Sequence, residues 1–457
     1  MTARDNQVVI SGLGVVSALS NHVEEFWQSC LAGNTVVESI PQEWQHYYTP
    51  KSTIWSPLIL PDYANYGLTR ADILRYDPAV LNAIVAADDA LLAAGINKIE
   101  FDERAKTYRL HGINRDKLGV YMGTGLGCIS SAFNNYVPHL LGATSGALFP
   151  SDNGIMEGQH DAVKELRQNF ANHPRVSPFA SCQSMANAVA AMLSIRFGAR
   201  GPSETFVSAC AAGTTAIARA YRAVQHGEVD IAIAGGSEYY GDQAGGVFMA
   251  FDRLQTLVKE AGPPDSGNRP FDENRSGFLF SQGGSGIVIL ESQAHARRRG
   301  ATPIARIIGM SITSDAHSLA AISKEDNAIG LMFENLFSDA SVAASDIGYV
   351  NAHGTSTQLN DLVESEIIER VFPNRPYVNS TKSLLGHTIG ASGAIECIVA
   401  ALSIRDRKIH PSRNLQKPIA DLNFATEVCN SEIEFAVSHS FGFGGHNAGL
   451  LLQATEN

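Results

Sequence analysis

Apolar positions along this chain follow two alternating spacings. Short continuous runs of Val, Ile, Leu and Ala at residues 7–19, 117–122, 206–207, 229–234 and 285–292 read as buried strands. Between them apolar residues recur at helical spacing over 23–31, 78–94 and 184–197, and again at Ile217, Ala220, Tyr221 and Val224. His226 and Gly227 close that last helix, as Gly198 to Pro202 close the one before it. The second half repeats the scheme, with strands at 303–313, 348–352, 376–380, 432–438 and 448–453 and helices at 326–340, 361–371 and 391–405. Strands alternating with helices predict layered α/β architecture with mostly parallel sheets, and two similar halves suggest an internal duplication. Residues 35–75 are aromatic, proline-containing and aperiodic, and read as a long surface segment. The stretch from 128 to 174 is poorly patterned and is expected to form caps and connections.

Composition narrows the field. The 457 residues allow two or three domains, or one large duplicated unit. A net charge of -12 argues against nucleic acid as a partner, because phosphate neutralisation needs a basic surface. The six cysteines (30, 128, 182, 210, 397 and 429) form no CxxC pair, which speaks against a disulfide framework or a metal site and fits a reducing cytosol. No apolar run reaches membrane-span length and no secretory pattern opens the chain, so a cytoplasmic protein without a membrane partner is expected. Gly12-Leu13-Gly14 looks like a dinucleotide loop, but it lacks the third glycine and the acidic residue about 20 positions on. The basic run His295 to Gly300 reads as a solvated helix end.

Candidate chemistry begins at Cys210, which stands between a strand and a helix among small residues, Ser208-Ala209 before and Ala211-Ala212-Gly213 after. Unpaired N–H groups at a helix start favour a thiolate, so a lowered pKa and nucleophilic character are expected; the competing reading is a buried structural cysteine. In the second half, His353 follows a buried strand in the turn Asn351-Ala352-His353-Gly354-Thr355-Ser356-Thr357. His387 follows another strand, five residues after Lys382, and leads into a helix carrying Glu396. The loop Ser440-Phe441-Gly442-Phe443-Gly444-Gly445-His446-Asn447 can present backbone N–H groups. Open α/β sheets place ligands at strand C-terminal ends, and two histidines there with a cysteine make a site.

These stretches, together with residues 269–278 (RPFDENRSGF), 351–361 (NAHGTSTQLND) and 380–396, give the chain a close resemblance to the elongating β-ketoacyl-ACP synthases, condensing enzymes of the thiolase superfamily. The resemblance spans almost the whole chain, with 35–75 fitting least. It implies the thiolase fold: duplicated βαβαβαββ halves in a five-layered αβαβα arrangement. Residues 1–295 would form the first half, with an inserted cap, and 296–457 the second. It further implies Cys210 as acyl acceptor, His353 and His387 as the catalytic pair, and Lys382 and Glu396 as an ion pair supporting them. Phe443 takes the place of the gatekeeper and, with Cys210, supplies oxyanion-hole amides; Thr355, Thr357, Leu126 and Ala180 take substrate-binding places. The implied reaction is decarboxylative Claisen condensation with malonyl-ACP in fatty-acid or polyketide/polyene elongation. No cofactor is implied; the partners are acyl carrier protein and a second subunit, identical or homologous.

The chain departs from the family in places. Residues 68–77 carry only Arg70 and Arg75 where the family has a basic docking run, and beyond Arg253-Leu254 the nearest cation is Lys259. Ala180 stands where a second bulky residue usually follows the phenylalanine, and His317 lies one place early. A silent chain-length partner would have lost the nucleophile, a thiolase would carry a second cysteine in the last glycine-rich loop, and an initiating synthase would have asparagine in place of His387. Cys210, His353 and His387 are all present, and residues 441–447 read FGFGGHN.

Overall fold

The computed structural model describes residues 7–45, 48–137, 176–242, 244–259, 266–323 and 328–455. Eleven strands form its main sheet: β1 (Val8–Val16), β2 (Leu118–Thr124), β3 (Ser203–Val207), β4 (Ile231–Tyr239), β5 (Gly283–Ser292), β6 (Ala305–Ser314), β7 (Tyr349–Asn351), β8 (Tyr377–Asn379), β9 (Asn423–Phe424), β10 (Phe435–Gly442) and β11 (His446–Gln453). Their order is β9-β8-β7-β10-β11-β6-β1-β5-β4-β2-β3. The first five strands run β3-β2-β4-β5-β1, and β8-β7-β10-β11-β6 repeats that order in the second half, with β9 added at its edge. The two sets join where β1 pairs antiparallel with β6.

The expectation of mostly parallel sheets holds only for the flanks. β2 is parallel to β3 and β4, and β7 to β8 and β10, while β4-β5, β5-β1, β1-β6, β6-β11 and β10-β11 are antiparallel. A strand buried on both faces is apolar throughout in either direction, so its sequence does not record orientation.

Seven helices matter for the site: α1 (Val23–Leu31), α2 (Pro78–Ala93), α3 (Ala188–Phe197), α4 (Ala212–Gln225), α5 (Ala328–Ala340), α6 (Gln358–Val371) and α7 (Ser392–Asp406). α2 starts where Asp77 caps it by accepting from Ala79 N–H, with Pro78 at its first position. α2 packs on β1, β4 and β5, with α3 against it; α5 packs on β6 and β11, with α6 against it. α4 and α7 lie between the two sheet halves and touch strands of both. This is the five-layered thiolase arrangement. Every residue of α7 from Ser392 to Ile404 is buried, as a middle-layer helix requires. Bare glycines let α4 and α7 meet: a Cβ on Gly213 would lie 2.8 Å from Ala394 N, and one on Gly393 would overlap Thr214 Oγ1.

Residues 35–75 are less superficial than their sequence suggests. Trp44 and Trp55 are 7% exposed and pack edge-on at 4.9 Å, and Trp44 lies 5.4 Å from Phe248. Arg299 binds Glu291 and the Ala94 carbonyl, so the basic run at 295–300 is a pinned helix end. Of the stretch expected to form caps, residues 138–175 lie outside the described part.

Candidate active site

Edge strand β3 delivers the chain to Ser208, and Ala209 then turns with φ +48 into a single 3-10 turn, Ala209–Ala211, that feeds α4. Cys210 stands in that turn and is 6% exposed. Burial pushes its thiol up to about 12, opposed by the Lys382 charge and by the backbone N–H groups of Phe443 and Cys210. The lowered pKa expected from the helix start is therefore overturned: desolvation outweighs the favourable dipoles. Gly442 lets the last loop close on the nucleophile, since a Cβ there would lie 2.7 Å from the Ser208 carbonyl oxygen and 3.3 Å from Cys210 N.

His353 leaves β7 with its backbone fixed. The N–H groups of His353 and Gly354 donate to Glu364 Oε1 and Oε2 at 2.7 and 2.8 Å. Glu364, on α6, is held in turn by His439 Nε2 of β10 at 2.6 Å and Asn360 Nδ2 at 3.0 Å. Lys382 is 1% exposed, and its ammonium donates to the His353 carbonyl at 2.7 Å and to Glu396 Oε1 at 2.5 Å. It also stands 3.2 Å from His353 Nδ1. An ammonium can only donate, so Nδ1 accepts and the His353 proton sits on Nε2.

His387 reaches the same state by another route: its Nδ1 accepts from Ile389 N–H at 3.3 Å. The two rings lie 5.5 Å apart at 82°, with Phe278 edge-on to His387 and Phe441 to His353. Burial first, and then the Lys382 charge, hold both histidines well below the usual range, so both are neutral at pH 7. Cys210, His353, His387 and Phe443 line one cavity of about 190 Å³. It thus offers one thiol, backbone N–H donors beside it, and two imidazoles with Nε2–H free.

Residues 5–296 match the description "Beta-ketoacyl synthase, N-terminal domain" and residues 304–416 "Beta-ketoacyl synthase, C-terminal domain". The chain belongs to the β-ketoacyl synthase family. It is 32% identical to a 3-oxoacyl-[acyl-carrier-protein] synthase 2 of Coxiella burnetii, over 98% of each chain. Among solved structures it resembles a β-ketoacyl synthase from Burkholderia phymatum, with TM-score 0.80 and 26% identity over 98% of this chain and 100% of that one. It equally resembles a chain in the complex of a type II PKS acyl-carrier protein with its ketosynthase bound to the hexaketide, with TM-score 0.80 and 25% identity over 98% of this chain and 99% of that one. The protein is accordingly a condensing enzyme of the acyltransferase type.

Within this synthase, Thr355 and Thr357 line the cavity with their hydroxyls 2.9 Å apart. Lys382 and Glu396 lie behind His353, out of the cavity. Leu126 and Ala180 are not brought to it: Leu126 is 46% exposed, and Ala180 is buried at the start of the short helix Ala180–Gln183. Sequence reasoning missed Glu364 and gave Asp361 no role. Asp361 accepts from Phe271 N–H at 2.7 Å and from Ser356 N–H at 3.1 Å, clasping residues 269–278 to the His353 turn. Their spacing was the available signal, because acidic residues at i and i+3 share a helix face, here directed at the turn preceding α6. Among the described residues no cluster of three or more His, Cys, Asp or Glu could hold a metal ion.

Proposed function

We propose that this chain elongates a carrier-bound acyl group by decarboxylative Claisen condensation with malonyl-ACP. The observation that carries this reading is the convergence on one cavity of Cys210, the Phe443 loop and two neutral histidines with free Nε2–H groups. The Cys210 sulfur attacks the acyl thioester, a C–S bond forms to the enzyme, and the carrier thiol leaves with the proton. The malonyl thioester next loses CO2, and the electron pair of the broken C–C bond becomes an enolate. Nε2–H of His353 and of His387 donate to the enolate oxygen. The enolate carbon then attacks the Cys210 thioester, whose oxyanion takes N–H donors from Cys210 and Phe443, and the Cys210 sulfur departs. Such donors are each worth roughly 2.7–4 kcal/mol. Lys382 and Glu396 keep His353 oriented and neutral.

The reading extends to the rest of the molecule. The repeated strand order supports a division into halves at 1–295 and 296–457, with Cys210 from the first and His353 and His387 from the second. An acyl carrier protein is the donor and acceptor partner, a reading supported by the solved complex of a type II PKS acyl-carrier protein with its ketosynthase. Leu126 and Ala180 belong to the far wall of the acyl site, completed by a second, identical or homologous subunit in a cytoplasmic dimer. The product is a fatty-acid or polyketide/polyene chain. Mass spectrometry of carrier-bound species after mixing acyl-ACP, malonyl-ACP and enzyme tests the reading: a β-ketoacyl-ACP two carbons longer is expected. Acylated Cys210 with no elongated product, or no acylation at all, would overturn it.

A further inference from the structure

Glu238 stands near the end of β4, fully buried, and has no part in the chemistry above. Its carboxylate is surrounded by donors. Thr124 Oγ1 lies 2.7 Å and Leu126 N 3.5 Å from Oε1; Gly125 N lies 2.5 Å and Gly390 N 3.1 Å from Oε2. The Thr124 hydroxyl accepts from Gly127 N–H at 2.9 Å, which leaves its own proton for Glu238. Three donors therefore come from the end of β2 and the turn after it, and one comes from the turn between His387 and α7. Two glycines make that reach possible: a Cβ on Gly390 would overlap Glu238 Oε2, and one on Gly125 would lie 2.9 Å from the same oxygen and 2.7 Å from Ile389 Cγ2.

Ile389, just before Gly390, has φ +50, in the left-handed region that a β-branched side chain disfavours. Such a conformation persists only where its surroundings over-determine it. On one side of it, its own N–H donates to His387 Nδ1; on the other, the Gly390 N–H donates to Glu238. Ile389 also lines the reaction cavity.

We propose that Glu238 is a positioning residue for His387: by clamping Gly390 it holds the Ile389 turn, keeps the Ile389 N–H on His387 Nδ1, and so leaves Nε2–H facing the substrate. Burial pushes the Glu238 carboxyl up to about 7, and the converging donors are what favour its ionised form. A glutamine at 238 has one acceptor oxygen, so its NH2 must face either the Thr124–Leu126 pair or the Gly125–Gly390 pair, both of them donors. The role rests on the condensing reading only through its kinetic readout.

The test compares wild type, Glu238→Gln and the milder Thr124→Val, which removes one donor and serves if the first variant folds poorly. Malonyl-ACP decarboxylation by Glu238→Gln is expected to lose about 10- to 100-fold in kcat, with Thr124→Val moving the same way by less. KM should stay within about twofold, and the iodoacetamide rate at Cys210 should not fall, because the Glu238 charge is one of the neighbours that push its thiol up. In a His387→Ala background Glu238→Gln should cost no more than about twofold further, whereas in a His353→Ala background its full effect should persist. A purely structural tie between the halves would depress decarboxylation and Cys210 alkylation together and act equally in both backgrounds; either result overturns the proposal. ¹⁵N-histidine spectra decide independently of turnover. The wild type should show His387 as a single Nε2–H tautomer that becomes mixed in Glu238→Gln, and an unchanged tautomer would refute the role. If the wild type itself decarboxylates nothing, the condensing reading fails, while these spectra still judge Glu238.

Discussion

Replacing Lys382 by methionine separates what the buried ion pair does for folding from what it does for chemistry. The ammonium makes three contacts, to Glu396, to the His353 carbonyl and to His353 Nδ1, and all lie in the interior. Without it Glu396 keeps only the Ser392 hydroxyl at 3.1 Å, and its Oε2 already has no partner. Breaking one side of such a pair costs about 3–5 kcal/mol. Burial already raises the Glu396 carboxyl, and losing the lysine raises it further. The folded variant then binds more protons than the unfolded chain, so its stability falls as pH rises above the ordinary carboxylate range near 4.3. Adding Glu396→Leu removes the stranded carboxylate and should restore most of the stability. It should not restore decarboxylation, because His353 Nδ1 still lacks its donor; a loss of about 1.4–2.7 kcal/mol, ten- to a hundredfold in rate, is expected in both variants. Urea unfolding at pH 5 and 8, run beside CO2 release from malonyl-ACP, measures both quantities. Full catalytic recovery in the double variant, or no stability difference between the two variants, would refute the reasoning.

Changing either His353 or His387 to Ala should slow malonyl decarboxylation by about 10²–10³-fold while leaving acyl transfer to Cys210 measurable; a variant with normal CO2 release excludes that histidine from donation. Because burial pushes the Cys210 thiol up to about 12, its alkylation by iodoacetamide should rise steadily from pH 7 to 9 in the unacylated enzyme; a rate already flat at pH 7 contradicts this, and Cys210→Ala should abolish condensation. His410 is buried and pushed down to about 4, so the unfolded chain takes up its proton first and stability should fall as pH drops from 6.5 towards 4. That slope is worth about 3 kcal/mol and should shrink in His410→Gln, as urea titrations at pH 7 and 4.5 would show.

Much of this architecture was legible because hydrophobic period reports local geometry. The helices of the second half start and end within a few residues of where their apolar spacing puts them, and the site residues announced themselves as His and Cys among glycines at strand ends. Strand direction was not legible, since β1 and β5 are apolar whichever way they run. Nor was the burial of Trp44 and Trp55, since Phe248, the partner of Trp44, lies some 200 residues along the chain. The error over the Cys210 thiol has the same origin. Sequence shows the helix start that favours a thiolate, but only the assembled fold shows how little water reaches it. Glu364 escaped notice because an acidic residue among others on a helix looks like solvated surface until the backbone it holds comes into view.

The middle layer takes one helix from each half, α4 and α7, and the polypeptide leaves the ribosome in order. At about 5–20 residues per second, the second half trails the first by roughly ten to thirty seconds. Throughout that interval α4 has no α7 to cover the face around Gly213, and β1 has β5 beside it but not yet β6. The nascent Cys210 likewise stands without the Phe443 N–H and the Lys382 charge, the neighbours that most favour its thiolate. It also lacks the second-half residues that help bury it, and burial outweighs those neighbours, so a half-made enzyme exposes a thiol that ionises more readily than the finished one.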